Sequence, residues 1–267
     1  MGHMDYVMGR TDHETRRLML QGEIYRPHSR HLFTLAGIRP GMRVLDVGCG
    51  AGDVSLLIAE LVGPTGSVIG VDADPVVLEV ARERARGLPN VEFAPALLPE
   101  VALDGPVDAL VGRLILIHLP DPVQAVRVLS RHVRPGGVVT FQDFDLQTVR
   151  TVPPTPLVAG ILDRMAEAMR VAGADPESGE RLYRIFRQAG LDGAGIAGTT
   201  PAGNADSVVV PYAAATVASL APLLEKLGLA TTAELDPDTL LDRMRSELAA
   251  ADAVLYAPEL TAVWARV

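Results

Sequence analysis

The sequence predicts an α/β fold, a doubly wound and mostly parallel sheet with helices on both faces. Three observations carry that expectation. Strands and helices alternate from Met42 onward, a glycine cluster follows the first strand directly, and an aspartate closes the strand after it. The 267 residues are 48% apolar, enough to fill a sizeable core in one or two domains, and 25 Gly with 20 Pro make the chain turn-rich but ordered.

Charge and cysteine usage remove whole classes of function. With 24 basic against 33 acidic residues the net charge is -9, so neither a nucleic acid nor an anionic membrane is an expected partner. One cysteine, Cys49, cannot close an internal disulfide, no Cys/His cluster has metal-site spacing, and a reducing, cytoplasmic compartment fits. Apolar stretches such as Leu114 to Ile117 fall far short of the ~18 residues of a membrane span. Met1-Gly2-His3 reads as a cloning remnant ahead of a natural Met4, and His3 as part of a tag.

From Thr11 to about Ala36, apolar residues at helical spacing are interrupted by Pro27, which predicts two short helices. Pro40-Gly41 turns the chain into a buried strand over Met42 to Val47. A helix over Val54 to Val62, a turn, and a strand over Ser67 to Val71 ending in Asp72 complete a βαβ unit. Asp74-Pro75 and Asp121-Pro122 each pair an N-cap with proline at the first helical position, opening helices to about Arg86 and His132. Further strands are expected at Val91 to Ala94, Val107 to Gly112 and Val138 to Asp143. Beyond Asp143, helices are expected over Leu157 to Val171, Arg181 to Gln188, Tyr212 to Leu227 and Pro237 to Leu255, with strands near Gly193 to Thr199 and Thr261 to Val267.

Val44 to Asp53 puts Gly48, Gly50 and Gly52 between a strand and a helix, where glycine lets the backbone turn sharply and a ligand approach the main chain. A dinucleotide fingerprint requires Gly or Ala at position 53, which is Asp, and no lysine follows as in a P-loop. Asp46 and Asp53 would repel a pyrophosphate but suit a ligand carrying an ammonium and a sulfonium. Asp72 stands where an acid accepts hydrogen bonds from ribose hydroxyls. The competing reading of the loop is a tight structural turn, and of Asp53 an N-cap. Asp74 and Asp121 read as caps alone, and Cys49 as a small buried side chain.

These residues resemble the class I S-adenosylmethionine (SAM) dependent methyltransferases, of the small-molecule, ubiquinone/menaquinone-biosynthesis-like type. Val44 to Asp53 resembles their first motif and Val68 to Asp74 their second. Asp108 to Arg113 with Leu116 to Asp121 resembles the segment facing the cofactor, and Arg134-Pro-Gly-Gly137 the turn into the fifth strand. The resemblance covers roughly Arg39 to Asp143 and implies a Rossmann-like sheet of seven strands, the last antiparallel, with an N-terminal helical lid (4-38), a SAM-binding core (39-145) and a remainder with a helical substrate cap (146-267).

It also implies roles. Asp46, Gly48, Gly50 and Gly52 would line the methionine part of SAM, Asp72 the ribose and Ala73 the adenine, while Arg113 and Leu114 would border the cofactor. Glu14 to Gln21 resembles an N-terminal helix that closes over the cofactor in some members, with Gln21 and Tyr25 as contacts. Where many members carry a Gly-Asp pair for the adenine amino group, this chain has Ala96-Leu97. His118 at the loop rim, His28 in the lid and Asp143 at the end of the fifth strand are the catalytic candidates, whereas His13, His31 and His132 read as solvated helix residues.

The implied reaction moves the methyl group of SAM to an O, N or C atom of a small acceptor, leaving S-adenosylhomocysteine. Leu157, Ile161, Met165, Met169, Tyr212, Leu220 and Leu224 suggest an apolar pocket, hence a lipophilic acceptor, although packing of the cap explains the same residues. Family analogy points to secondary metabolism and a monomer or homodimer. Two alternatives stay open: a methyltransferase-like enzyme that cyclises or rearranges its substrate with SAM structural, and a non-catalytic SAM-binding regulator.

Overall fold

The computed structural model describes residues 12–171 and 175–267. The expected Met1–His3 remnant, the start of the 4-38 lid, and the side chains of His13 and of Glu14 to Arg16 lie outside what is described. Two compact units interleave along the chain: one holds the chain up to His28 with Asp145–Glu177 and Thr199–Glu259, the other Ser29–Phe144, Ser178–Gly198 and Leu260–Val267. In order the elements are α1 (Asp12–Ala36), β1 (Arg43–Val47), α2 (Asp53–Val62), β2 (Ser67–Asp72), α3 (Pro75–Arg84), β3 (Val91–Pro95), β4 (Val107–Arg113), α4 (Pro122–Leu129), β5 (Val133–Asp145), β6 (Arg150–Val152), α5 (Pro156–Val171), α6 (Ser178–Ala189), β7 (Gly195–Thr199), β8 (Ala202–Gly203), α7 (Val209–Lys226), α8 (Thr232–Leu235), α9 (Pro237–Ala250), β9 (Val254–Tyr256) and β10 (Glu259–Arg266).

The second unit is built on a seven-stranded sheet in the order β3-β2-β1-β4-β5-β10-β7. Strands β1, β2, β3, β4 and β5 run parallel to one another. Val267, just past the end of β10, exchanges backbone hydrogen bonds with Gly136 and Gly137 near the start of β5, so the last strand is antiparallel to it. Side chains alternate across the sheet as the pleat requires. Val44, Ala109, Val111 and Val138 pack under Phe33 of α1 and Leu57, Ile58 and Val62 of α2. Leu45, Leu110, Val139 and Phe141 pack on the other face under Val126 and Leu129 of α4 and Leu182 and Phe186 of α6. Both faces are covered, so the central strands are apolar over most of their length, with Asp46, Thr140 and Gln142 buried among them.

In the other unit, β6, β9 and β8 form a small antiparallel sheet, joined by α5, α7, α8 and α9. No helix among the described residues is long and apolar enough to cross a membrane.

Three expectations change. The two helices expected around Pro27 are one 25-residue helix, because Pro27 and Glu23, whose carbonyl loses its amide partner, both face solvent while Ile24, Tyr25, Leu32 and Phe33 are buried. The helix expected to reach Leu255 stops at Ala250, and Leu255 lies in β9, paired with Thr151 and Gly203. The helix expected to reach His132 is α-helical only to Leu129 and tightens into a 310 turn over Ser130–His132.

Candidate active site

The carboxyl ends of β1, β2, β4 and β5 bring Asp46, Asp72, Arg113 and Asp143 to one end of the sheet, the end where open α/β sheets bind ligands. The loop after β1 is held from two sides. Cys49 N–H donates to Val71 O, and Gly50 N–H donates to the Asp72 carboxylate at 2.9 Å. The other oxygen of Asp72 accepts from Asp74 N–H at 3.0 Å. Asp72 thus fixes the loop and the turn after its own strand, and each oxygen keeps a further lone pair for a hydroxyl donor.

The three glycines are required for different reasons. A Cβ on Gly48 would stand 2.5 Å from Ile115 Cδ1, whereas one on Gly50 would meet nothing within 4 Å, at φ +52. Gly50 leaves open space above the loop, as close approach of a ligand to the main chain demands. Gly52 is itself the N-cap of α2, so the expectation that Asp53 caps that helix is corrected: Asp53 is the first helical residue and pairs with Arg84 at 2.7 Å. Arg84 also donates to Ala51 O at 2.7 Å, a clamp that no local sequence signal marks. Asp74 and Asp121 do cap α3 and α4, through Val76 N–H and Gln124 N–H.

Asp46 is 1% exposed, and its Oδ2 accepts from the Ser55 hydroxyl at 2.6 Å. Its Oδ1 has no hydrogen-bond partner among the described residues. Burial raises its pKa to about 7 against the opposing pull of Ser55 and the Arg113 charge. The carboxylate pair expected to repel a pyrophosphate is therefore softened: Asp53 is neutralised by Arg84 and Asp46 is poised between its two forms. A pH dependence follows. Unfolded, the carboxyl ionises near 3.8. Folding is then penalised progressively as pH rises from there through about 7, by up to ~4 kcal/mol in all. Asp46→Asn is expected to remove that slope, so the stability difference between the variant and the natural protein grows from pH 4 to pH 8 in denaturant titrations. A constant difference would contradict the assignment.

Burial also pushes the Cys49 thiol far up, which removes it as a nucleophile. Arg113 donates to Ser29 Oγ at 3.1 Å, and Leu114, at φ +57, donates its N–H to Gln142 O at 2.8 Å. Ala73 is exposed and Leu97 is 66% exposed, apolar surface beside the end of β2. Asp143 is fully buried. Its carboxylate accepts from Ile117 N–H at 3.2 Å and from Ser178 Oγ at 2.9 Å, so it ties the 310 turn Leu116–His118 to the start of α6. Asp143, a catalytic candidate by sequence, is thus bonded to the turn that carries half-buried His118. Ser29 and Ser178 were not singled out by sequence because their partners lie 84 and 35 residues away, and Ser55, nine residues from Asp46, carries no motif of its own.

The other unit holds the remaining candidates. Gln21 accepts from Arg17. Tyr25 is fully buried, its hydroxyl donates to Pro258 O at 2.8 Å, and its ring meets Tyr212 edge-on with centroids 5.9 Å apart. These contacts lend no support to Gln21 and Tyr25 as cofactor residues. His28 shares a 2.6 Å hydrogen bond between its Nδ1 and Thr199 Oγ1. His31 is exposed and His132 half-buried. Of the expected pocket residues, Ile161, Met165 and Tyr212 line a cavity of about 60 Å³ within this unit. Leu220 and Leu224 are fully buried packing instead, and Leu157 and Met169 are half-buried outside its lining.

The residues at the sheet end fit SAM. The unpartnered, buried Asp46 oxygen suits an ammonium, Asp72 a diol, and the space over Gly50 a ligand against the main chain. Comparison with known proteins agrees. A family model described as a methyltransferase domain matches residues 38–190, more than half of the chain. The ubiquinone/menaquinone biosynthesis C-methyltransferase of Ectopseudomonas mendocina is 32% identical over 149 residues, 54% of this chain and 56% of that protein. The demethylmenaquinone methyltransferase of Staphylococcus aureus is 35% identical over 104 residues, 39% of this chain and 43% of that protein. The chain thus spans about half the length of these curated relatives. The crystal structure of the YcgJ protein from Bacillus subtilis superposes with a TM-score of 0.58 at 19% identity, over 90% of this chain and 97% of that one, a likeness of fold. By its sheet, its acidic and glycine-rich strand ends and this family match, the chain belongs to the SAM-dependent methyltransferases.

Proposed function

We propose that the protein transfers the methyl group of SAM to an O, N or C atom of a small, lipophilic acceptor, with S-adenosylhomocysteine as the second product. The observation that carries this reading is the Asp72–Gly50 bond under open space, beside a buried acid with an unpartnered oxygen. A lipophilic acceptor is supported by the apolar cavity and by the names of the two curated relatives, which refer to ubiquinone, menaquinone and demethylmenaquinone.

When bound, SAM supplies an electrophilic methyl group on a sulfonium. The protein's part is to orient the acceptor atom and exclude water. Asp46, Gly48, Gly50, Gly52 and Asp72 hold the cofactor, with Ala73, Leu97, Arg113 and Leu114 at its border. His118 takes the proton of an acceptor hydroxyl or amine, as an imidazole nitrogen lone pair can. Asp143 keeps the His118 turn in place through Ile117 N–H. His28, steadied by Thr199, is the second candidate for proton transfer.

The test is transfer of label from methyl-labelled SAM to a panel of lipophilic hydroxyl, amine and quinol compounds. Label in product supports the reading; product without label, or cofactor binding without any turnover across the panel, opposes it. His118→Ala is expected to lower turnover about a hundredfold, the low end of general-base effects, with SAM affinity unchanged. Equal turnover would make His118 a structural residue.

A further inference from the structure

The cavity of about 60 Å³ has several times the room that one water molecule needs, about 10–15 Å³. It lies wholly between α5, α7, α9 and the small sheet of its own unit. Its wall includes Val158, Ile161 and Met165 from α5, Val217 from α7 and Met244 from α9, and no Asp, Glu, Lys, Arg or His. Its hydroxyls belong to Tyr212 and Thr216, and the Thr216 hydroxyl already donates to Tyr212 O at 2.8 Å. Such a wall gives nothing back to a charged group removed from water, so a charged occupant would bear its full desolvation cost. An aliphatic group loses nothing and gains with every CH2 it buries. The wall is mostly branched aliphatics and methionine, with Tyr212 the single aromatic ring, which suits a branched or linear hydrocarbon better than a planar ring that wants stacking partners. Met165 and Met244 have flexible thioether chains that let the space adapt to different lengths.

We infer that this cavity is a binding site for the uncharged aliphatic part of a ligand whose polar head stays outside it. The inference does not rest on the proposed methyl transfer: the cavity's preference for aliphatic groups stands on its own lining. Ala213 is half-buried on the wall, so Ala213→Trp puts bulk at the cavity.

The experiment titrates the full chain calorimetrically with hexanol and with hexanedioate, which carries a charge at each end. Hexanol is expected to bind and hexanedioate not, and Ala213→Trp is expected to weaken hexanol at least tenfold while SAM affinity stays as in the natural protein. Absence of hexanol binding, equal binding of the dianion, or hexanol binding by Ala213→Trp as tight as before would overturn the inference. Should Ala213→Trp lose SAM affinity through misfolding, Met165→Ala decides the point: it is expected to favour a longer alcohol such as octanol, and an unchanged length preference counts against the site. Label transfer from SAM is read separately, so failure here and failure of the methyl-transfer proposal are distinguishable.

Discussion

Asp72→Ala is expected to lower SAM affinity at least a hundredfold. Two losses combine. The ribose acceptor disappears, and Gly50 N–H and Asp74 N–H lose the carboxylate that holds them at 2.9 and 3.0 Å. Hydrogen bonds to a charged group contribute roughly 1.5–3 kcal/mol each, so even part of this network corresponds to two decades in affinity. Asp72→Asn keeps one acceptor oxygen and is expected to lie between the alanine variant and the natural protein. Calorimetric titration with SAM, together with a thermal midpoint for each variant, checks both. Unchanged affinity for Asp72→Ala would refute the ribose assignment.

The second large effect separates two glycines only two residues apart. Gly48→Ala adds a Cβ at φ +67 that meets Ile115 at 2.5 Å, and Ile115 begins the turn that carries His118. Left-handed backbone alone costs a non-glycine residue roughly 1–2 kcal/mol. With the forced movement of Ile115, the loss of stability should reach about 3 kcal/mol, within the range for overpacking plus strain. Gly50→Val carries the backbone cost but its Cβ meets nothing within 4 Å, so its effect is expected on SAM binding, by more than tenfold, from bulk placed where a ligand would lie. Denaturant unfolding and SAM titration of the two variants read these effects apart. The reverse pattern, with Gly48→Ala binding poorly but stable and Gly50→Val binding normally, would contradict the division of roles.

What the sequence made legible is what local chemistry determines. The β1–loop–α2–β2 passage, the Asp74 and Asp121 caps and the alternation of the central strands all rest on residues within a few positions of one another. The continuous helix through Pro27 was not legible, because proline ends a helix unless the carbonyl it orphans can reach water, and exposure is a tertiary fact. Strands β6 and β9 have three residues each and β8 has two, too short for an alternation to register. Asp143 was a catalytic candidate because it stands at the end of the fifth strand; the partners of its carboxylate lie 26 and 35 residues away, and only the folded chain brings them to it. For the same reason Arg84, 31 residues from Asp53, gave no sign of its clamp on the glycine loop. The sequence offered Ile161, Met165 and Tyr212 together with Leu220 and Leu224 as residues of an apolar pocket; the first three line a cavity and the last two are fully buried away from it, a difference that composition does not carry.

The measurement that bears most directly on the site is a crystal structure of the protein grown with S-adenosylhomocysteine. The ribose hydroxyls are expected within hydrogen-bond distance of the Asp72 carboxylate, the amino acid end over Gly50 on the side of Asp46, and the adenine between Ala73 and Leu97. Density for the nucleoside anywhere else, or a ribose turned away from Asp72, would contradict the account.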